Sequence, residues 1–192
     1  MIKNNFDGYT LVEMITTLVI ASAFSVGLYF IFISSTNNIN REEVLFDIKN
    51  YTTNSLEIIS EKIRSADQIE INSILGSTMI TITNTISSEQ EEQFVYSVID
   101  NMIYENSQAM KIPGYQWLLN DQEMYDFTLT MNCLTENLTF SESIDEGLRE
   151  STYDLTINVN IESKIDEDYE TSYKASNRIF AINKFSQLTP SS

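Results

Sequence analysis

Histidine is absent from this chain and cysteine occurs once, at Cys133. Those two absences remove the histidine-dependent catalytic triads and dyads, the Cys/His zinc spacings and any intrachain disulfide. The fold must therefore rest on packing alone. Cys133 closes the alternation Tyr125, Phe127, Leu129, Met131, Cys133, a pattern that places it on the buried face of a strand rather than in a reactive site. Phosphate-cradling glycine patterns, a nucleophile elbow, EF-hand spacing and internal repeats are also missing from the sequence. No catalytic residue, cofactor or metal ligand is assigned, and an enzyme is not expected.

Positive charge is scarce as well. The chain carries 11 basic against 28 acidic residues, a formal net charge of -17. The acids are spread along the region after Ser34, and no lysine or arginine cluster interrupts them. Such a field repels phosphate backbones, so direct nucleic-acid binding is not expected. Spread acidity of this kind keeps a surface solvated and soluble.

What is present in excess is one apolar run. Between Met14 and Ile33 no charged residue occurs, and Glu13 stands at the threshold. A helix over that run is about 30 Å long at ~1.5 Å per residue, the thickness of a bilayer's hydrocarbon core. Thr16, Thr17, Ser22, Ser25 and Gly27 are interspersed among its Ile, Val, Leu, Phe and Ala residues, a composition suited to close helix packing in a membrane. The run is too long for a secretory signal, and its small residue, Gly8, precedes it instead of following it. Lys3 lies on one side and Arg41 and Lys49 on the other, so the positive-inside rule does not decide the orientation.

"GYTLVEM", followed by about twenty apolar residues, resembles the class III leader and N-terminal helix of type IV pilins and type II secretion pseudopilins, whose usual form is Gly-Phe-Thr-Leu-[Leu/Ile/Val]-Glu. The resemblance covers Phe6 to Ile33. It implies that Gly8 ends a leader cut by prepilin peptidase on the cytoplasmic face, and that Tyr9 becomes the new, N-methylated terminus. Two departures stand out: Tyr9 replaces the usual Phe, and the leader "MIKNNFDG" holds only Lys3 and sets Asp7 beside the cut. The implied partners are the peptidase, other pilin or pseudopilin subunits, an inner-membrane assembly platform and membrane lipid. The implied topology is a single pass through the cytoplasmic membrane with the remainder outside the cytoplasm, then in a filament.

Glu13 is the residue of most chemical interest. A carboxylate at mid-bilayer depth costs ~2.5 to 3.5 kcal/mol on insertion scales, less near the interface. An amine freed at Tyr9 offers it a partner: at ~4 Å and an effective dielectric of ~20 the attraction is about 4 kcal/mol before desolvation. In pilins that amine belongs to a neighbouring subunit, which gives Glu13 a role in subunit assembly. Tyr9 and Glu13 are also i and i+4, so pairing within one chain is the alternative.

Beyond Ile33, Leu45, Ile48, Thr52, Leu56, Ile59, Ile63 and Ala66 recur at three- and four-residue steps, which predicts an amphipathic helix continuing the membrane segment. The polar "SSTNNIN" between them competes for backbone hydrogen bonds and is a candidate weak point. Strands follow: "MITITNTI" through Ile80, Ile82 and Ile86; "QFVYSVIDNMIYEN" as a hairpin turning near Asp100-Asn101; "YDFTLTMNC"; "TYDLTINVNI" with Tyr153, Leu155, Ile157, Val159 and Ile161 on one face; and "NRIFAINKF" as a last strand or tail. "IPGYQWLLNDQEMYD" reads as a structured loop or short helix with Trp117 in the core. "KIDEDYETSY", with Asp166, Glu167 and Asp168, reads as a solvated turn.

The expected fold class is α+β, a long N-terminal helix packed on an antiparallel sheet in the manner of a pilin. Its divisions are a leader over 1–8, a transmembrane and assembly helix over 9–33, an amphipathic helix over 34–67 and one strand-rich domain over 68–192. The implied function is that of a minor pilin or pseudopilin, with a loose likeness to the larger J-type minor pseudopilins, serving a pilus, a secretion system or DNA uptake. The competing class is a signal-anchored surface protein or adhesin that never enters a filament.

Overall fold

A computed structural model describes residues 10–74, 77–87, 90–119, 123–135, 148, 150–166 and 169–188. Helix α1 runs Leu11–Arg64. Among the described residues eight strands follow: β1 Gln68–Ile74, β2 Ser77–Ser87, β3 Gln90–Ile99, β4 Met102–Glu105, β5 Gln108–Ala109, β6 Tyr125–Thr135, β7 Thr152–Ser163 and β8 Glu170–Phe180. A short 3-10 helix, Tyr115–Leu118, lies between β5 and β6, and helix α2, Ile182–Leu188, follows β8. The fold class is α+β. The chain divides into two compact units, Met1–Glu43 and Val44–Ser192.

In the second unit the core is built on the part of α1 after Glu43. Val44, Ile48, Tyr51, Thr52, Leu56, Ile59 and Ile63 are buried, and Ala66 follows them. The buried face is wider than the sequence stripe. It takes in Tyr51 and Ser60, while Leu45 is only half-buried. Two of the polar residues on this face have their bonds met: Thr52 Oγ1 donates to Ile48 O at 2.7 Å, and Ser60 Oγ accepts from Asn177 Nδ2 at 3.1 Å. Tyr51 buries its ring while its hydroxyl accepts the Ile103 N–H at 3.1 Å. Burial pushes that phenol up to about 12.

The first sheet is an antiparallel meander in the order β1-β2-β3-β4-β5. The turn foreseen at Asp100-Asn101 joins β3 to β4, with both residues at positive φ (48° and 61°), the backbone of a tight type I′ hairpin. The next hairpin repeats the device at Asn106-Ser107 (φ 48° and 67°), which creates the two-residue β5 that the sequence pattern did not suggest. Asn106 Oδ1 accepts the Val95 N–H at 2.8 Å, fastening this turn to β3. Ile80 and Ile82 are buried, but Ile86 is 65% exposed. A register shift between Thr85 and Ser87 interrupts the alternation, so Ile86 drops out of the core.

The second sheet, β6-β7-β8, is more regular. Tyr125, Phe127, Leu129, Met131 and Cys133 are all buried, as are Tyr153, Leu155, Ile157, Val159 and Ile161. The register sets Cys133 opposite Leu155, Met131 opposite Ile157 and Leu129 opposite Val159, so two alternating strands share one apolar face. Asn101 Oδ1 accepts the Leu129 N–H at 3.3 Å, a link from the first sheet's hairpin to β6. On β8, Tyr173 Oη lies 3.3 Å from Thr53 Oγ1 of α1.

Two local readings are corrected. "NRIFAINKF" is not one strand: β8 ends at Phe180, Ala181 is buried, and Ile182 opens α2. There the Lys184 N–H reaches Ala66 O at 3.1 Å and Asn183 Nδ2 reaches Ser65 O at 2.9 Å, bonding carbonyls just past the end of α1. In the 3-10 helix the fully buried residue is Leu118, whereas Trp117 packs against the core half-buried. The indole needs an acceptor for its N–H, and it finds one at Asp47 Oδ2, 2.9 Å away on α1.

Candidate functional site at the start of the long helix

Gly8 and Tyr9 lie outside the described residues; Glu13 is within them. Helix α1 begins at Leu11, which makes Thr10 its N-cap and Glu13 the third helical residue. Thr10 N donates to Glu13 Oε2 at 2.8 Å, Thr10 Oγ1 donates to the same oxygen at 2.9 Å, and Glu13 N donates back to Thr10 Oγ1 at 3.3 Å. This is a capping box, in which cap and third residue satisfy each other's orphan groups. A negative charge in the first turn also complements the helix dipole. The signal was present in the sequence as Thr-x-x-Glu ahead of an apolar run. Thr10 was not among the expected site residues, although this pattern marks it.

From Met14 to Asn40 no charged residue occurs. Residues 10–39 are exposed throughout, with Leu11 at 75% and Phe32 at 71%. Contiguous apolar surface on this scale far exceeds the few hundred Å² that soluble monomers leave to water. The polar side chains within the run do not undo its apolar character. Thr16 Oγ1 donates to Val12 O and Thr17 Oγ1 to Glu13 O, while Ser22 Oγ donates to Val19 O and Ser25 Oγ to Ala21 O, both at 2.8 Å. Each hydroxyl is satisfied by its own helix, so none needs water. The segment is long and apolar enough to cross a membrane. "SSTNNIN", the candidate weak point, stays helical, and Thr36 Oγ1 donates to Phe32 O at 2.9 Å.

Elsewhere several polar groups are engaged structurally. Cys133 is buried, and burial, with Asp154 nearby, pushes its thiol up to about 12, which keeps it protonated at physiological pH. On the outer face of β6-β7-β8, Arg178 pairs with Asp154 at 3.1 Å across the strands. Lys184 Nζ donates to Glu150 O at 2.8 Å and to Tyr153 Oη at 2.7 Å; burial lowers the affinity of this amine for its proton. In the acidic turn, Asp166 accepts the Tyr169 N–H at its carbonyl at 2.9 Å, while Glu167 and Asp168 lie outside the described residues. Among the described residues no group of His, Cys, Asp and Glu is arranged to hold a metal ion.

No protein-family model, curated protein or solved structure matches the chain.

Proposed function

We propose that the chain is a minor pilin or pseudopilin, stored in the membrane by the first part of α1 and assembled into a type IV filament or pseudopilus. The observation that carries this is the charge-free, fully exposed apolar helix opened by a carboxylate at Glu13. Lipid covers such a surface before assembly, and the helices of neighbouring subunits cover it afterwards. The "GYTLVEM" motif supports processing after Gly8 by prepilin peptidase and methylation of Tyr9. The α+β domain after Glu43, with its helix laid on antiparallel strands, supports the same assignment at the level of architecture. The assembly platform and the other subunits are its partners, and the domain faces away from the cytoplasm.

Low abundance follows from charge. A major subunit repeats along the whole filament, and a net -17 chain would then be stacked against copies of itself. Screening over ~8 Å at physiological salt softens this repulsion without abolishing it. One acidic domain is easier to place at a tip or in an initiating complex. Quantitative proteomics of sheared, purified filaments should find this chain present at a small fraction of the predominant subunit. Its predominance would overturn the minor role, and its complete absence would overturn filament membership.

A further inference from the structure

We infer that the groove on the outer face of β6-β7-β8 binds an acidic saccharide, its carboxylate taken by Lys174 and its hydroxyls by Asn132, Thr156 and Ser176. The inference rests on the second unit alone and holds whether or not the chain enters a filament. The groove has a volume of about 580 Å³, within the ~300 to 1,000 Å³ of small-molecule sites. Alternation sends Tyr153, Leu155 and Ile157 to the core, and so turns Asp154 and Thr156 outward as a half-buried floor. Asn132 on β6 and Lys174 and Ser176 on β8, all exposed, line its sides.

Strand register makes this lining an ordered array. Asn132, Thr156 and Ser176 stand in one row across the three strands, with hydrogen-bonding groups repeated at roughly 4.8 Å. That row has capacity to spare. The Thr156 and Ser176 hydroxyls have no hydrogen-bond partner among the described residues, and Asn132 Oδ1 accepts from Thr78 Oγ1 at 3.3 Å, which leaves Nδ2 to donate. Hydroxyls and amides both donate and accept, as a polyhydroxylated ligand requires, whereas an apolar ligand would leave them unpaired. Charge selects among such ligands. Arg178 and Asp154 offset each other at 3.1 Å, so Lys174, with no ion pair among the described residues, leaves the lining with two cations against one carboxylate on a chain of net -17. The far end of the same face is acidic: Asp126, bonded to Lys164, shares a row with Glu162 and Glu170. An anion is therefore favoured at the Lys174 end. A single net cation suits a single carboxylate, while the surrounding acidity repels a dense polyanion.

The test presents the full-length chain, in phosphatidylcholine nanodiscs carrying a fluorescent lipid, to an array of uronic-acid and sialic-acid oligosaccharides. Each stands beside its carboxyl-reduced counterpart, polyglutamate is included, and the signal of empty nanodiscs is subtracted. Wild type should bind acidic members about tenfold more tightly than the reduced ones, the worth of a hydrogen bond between charged groups. Lys174→Gln should remove that preference without disturbing the fold, because the side chain is exposed. Thr156→Val should weaken acidic and reduced saccharides alike by roughly two- to tenfold. Failure of wild type to bind any acidic saccharide, equal binding of the reduced forms, or polyglutamate bound as tightly would overturn the proposal. So would wild-type binding by the Lys174→Gln, Thr156→Val double variant, which would put the site elsewhere.

Discussion

Replacing Glu13 with alanine should leave the chain synthesised, inserted and cleaved, yet lower its share in sheared filaments by about tenfold or more. Insertion is not harmed, because removing a carboxylate from the edge of an apolar segment relieves a cost of up to ~3 kcal/mol. Docking is harmed, because a carboxylate–amine pair at ~4 Å is worth about 4 kcal/mol before desolvation, and each 1.4 kcal/mol retained is tenfold in affinity. Glu13→Gln is the informative companion. Glutamine can still complete the box with Thr10, so its helix start should survive while the ion pair is lost. If both variants enter filaments at the wild-type level, the charge of Glu13 plays no part in docking.

The second large effect is one of stability and lies in the unit after Glu43. Gly114 has φ +95°, and a Cβ there would stand 2.2 Å from Asp47 O and 3.1 Å from Tyr51 Cβ. The left-handed backbone alone costs a side chain ~1 to 2 kcal/mol. Overpacking typically adds about 1 to 3 kcal/mol. The clash is with the backbone of α1, which cannot turn aside as a side chain can. Gly114→Ala should therefore destabilise the domain by roughly 2 to 5 kcal/mol. Trp117, the single tryptophan, sits three residues away with its indole bonded to Asp47, so its fluorescence reports denaturant unfolding of the detergent-solubilised chain. Gly27→Ala is the control: nothing lies within 4 Å of a Cβ at Gly27, and the midpoint should not move. An unchanged midpoint for Gly114→Ala would mean that the loop does not approach α1 so closely.

The parts of the fold that could be read from sequence are those governed by local periodicity. Period-two alternation from Tyr125 to Cys133 and from Tyr153 to Ile161 placed ten side chains on the core face, and all ten are buried. Asp100-Asn101 announced its hairpin because few residues accept two successive positive φ angles. The misses come from interactions between distant segments. Trp117 packs against the core only half-buried, its indole bonded to Asp47, seventy residues earlier. Tyr51 lies on the buried face of α1, and the bond its hydroxyl accepts from the Ile103 N–H is a contact no helical spacing encodes. Ile86 is expelled by a bulge that exists only when β2 is paired with β3. α2 was hidden in an apparent strand, and its bonds to Ser65 and Ala66 tie it to the chain after α1. At the candidate site the failure was of a different kind. Thr10 was within reach of a local rule, but the charge of Glu13 suggested a charged partner rather than a hydroxyl three residues away.

The most direct measurement is the mass of the N-terminal peptide of this chain recovered from the membranes of cells with active prepilin peptidase. The expected peptide starts at Tyr9 and carries a methyl group on its amine. A chain that still begins at Met1, with "MIKNNFDG" attached, would contradict its assignment as a pilin-type subunit.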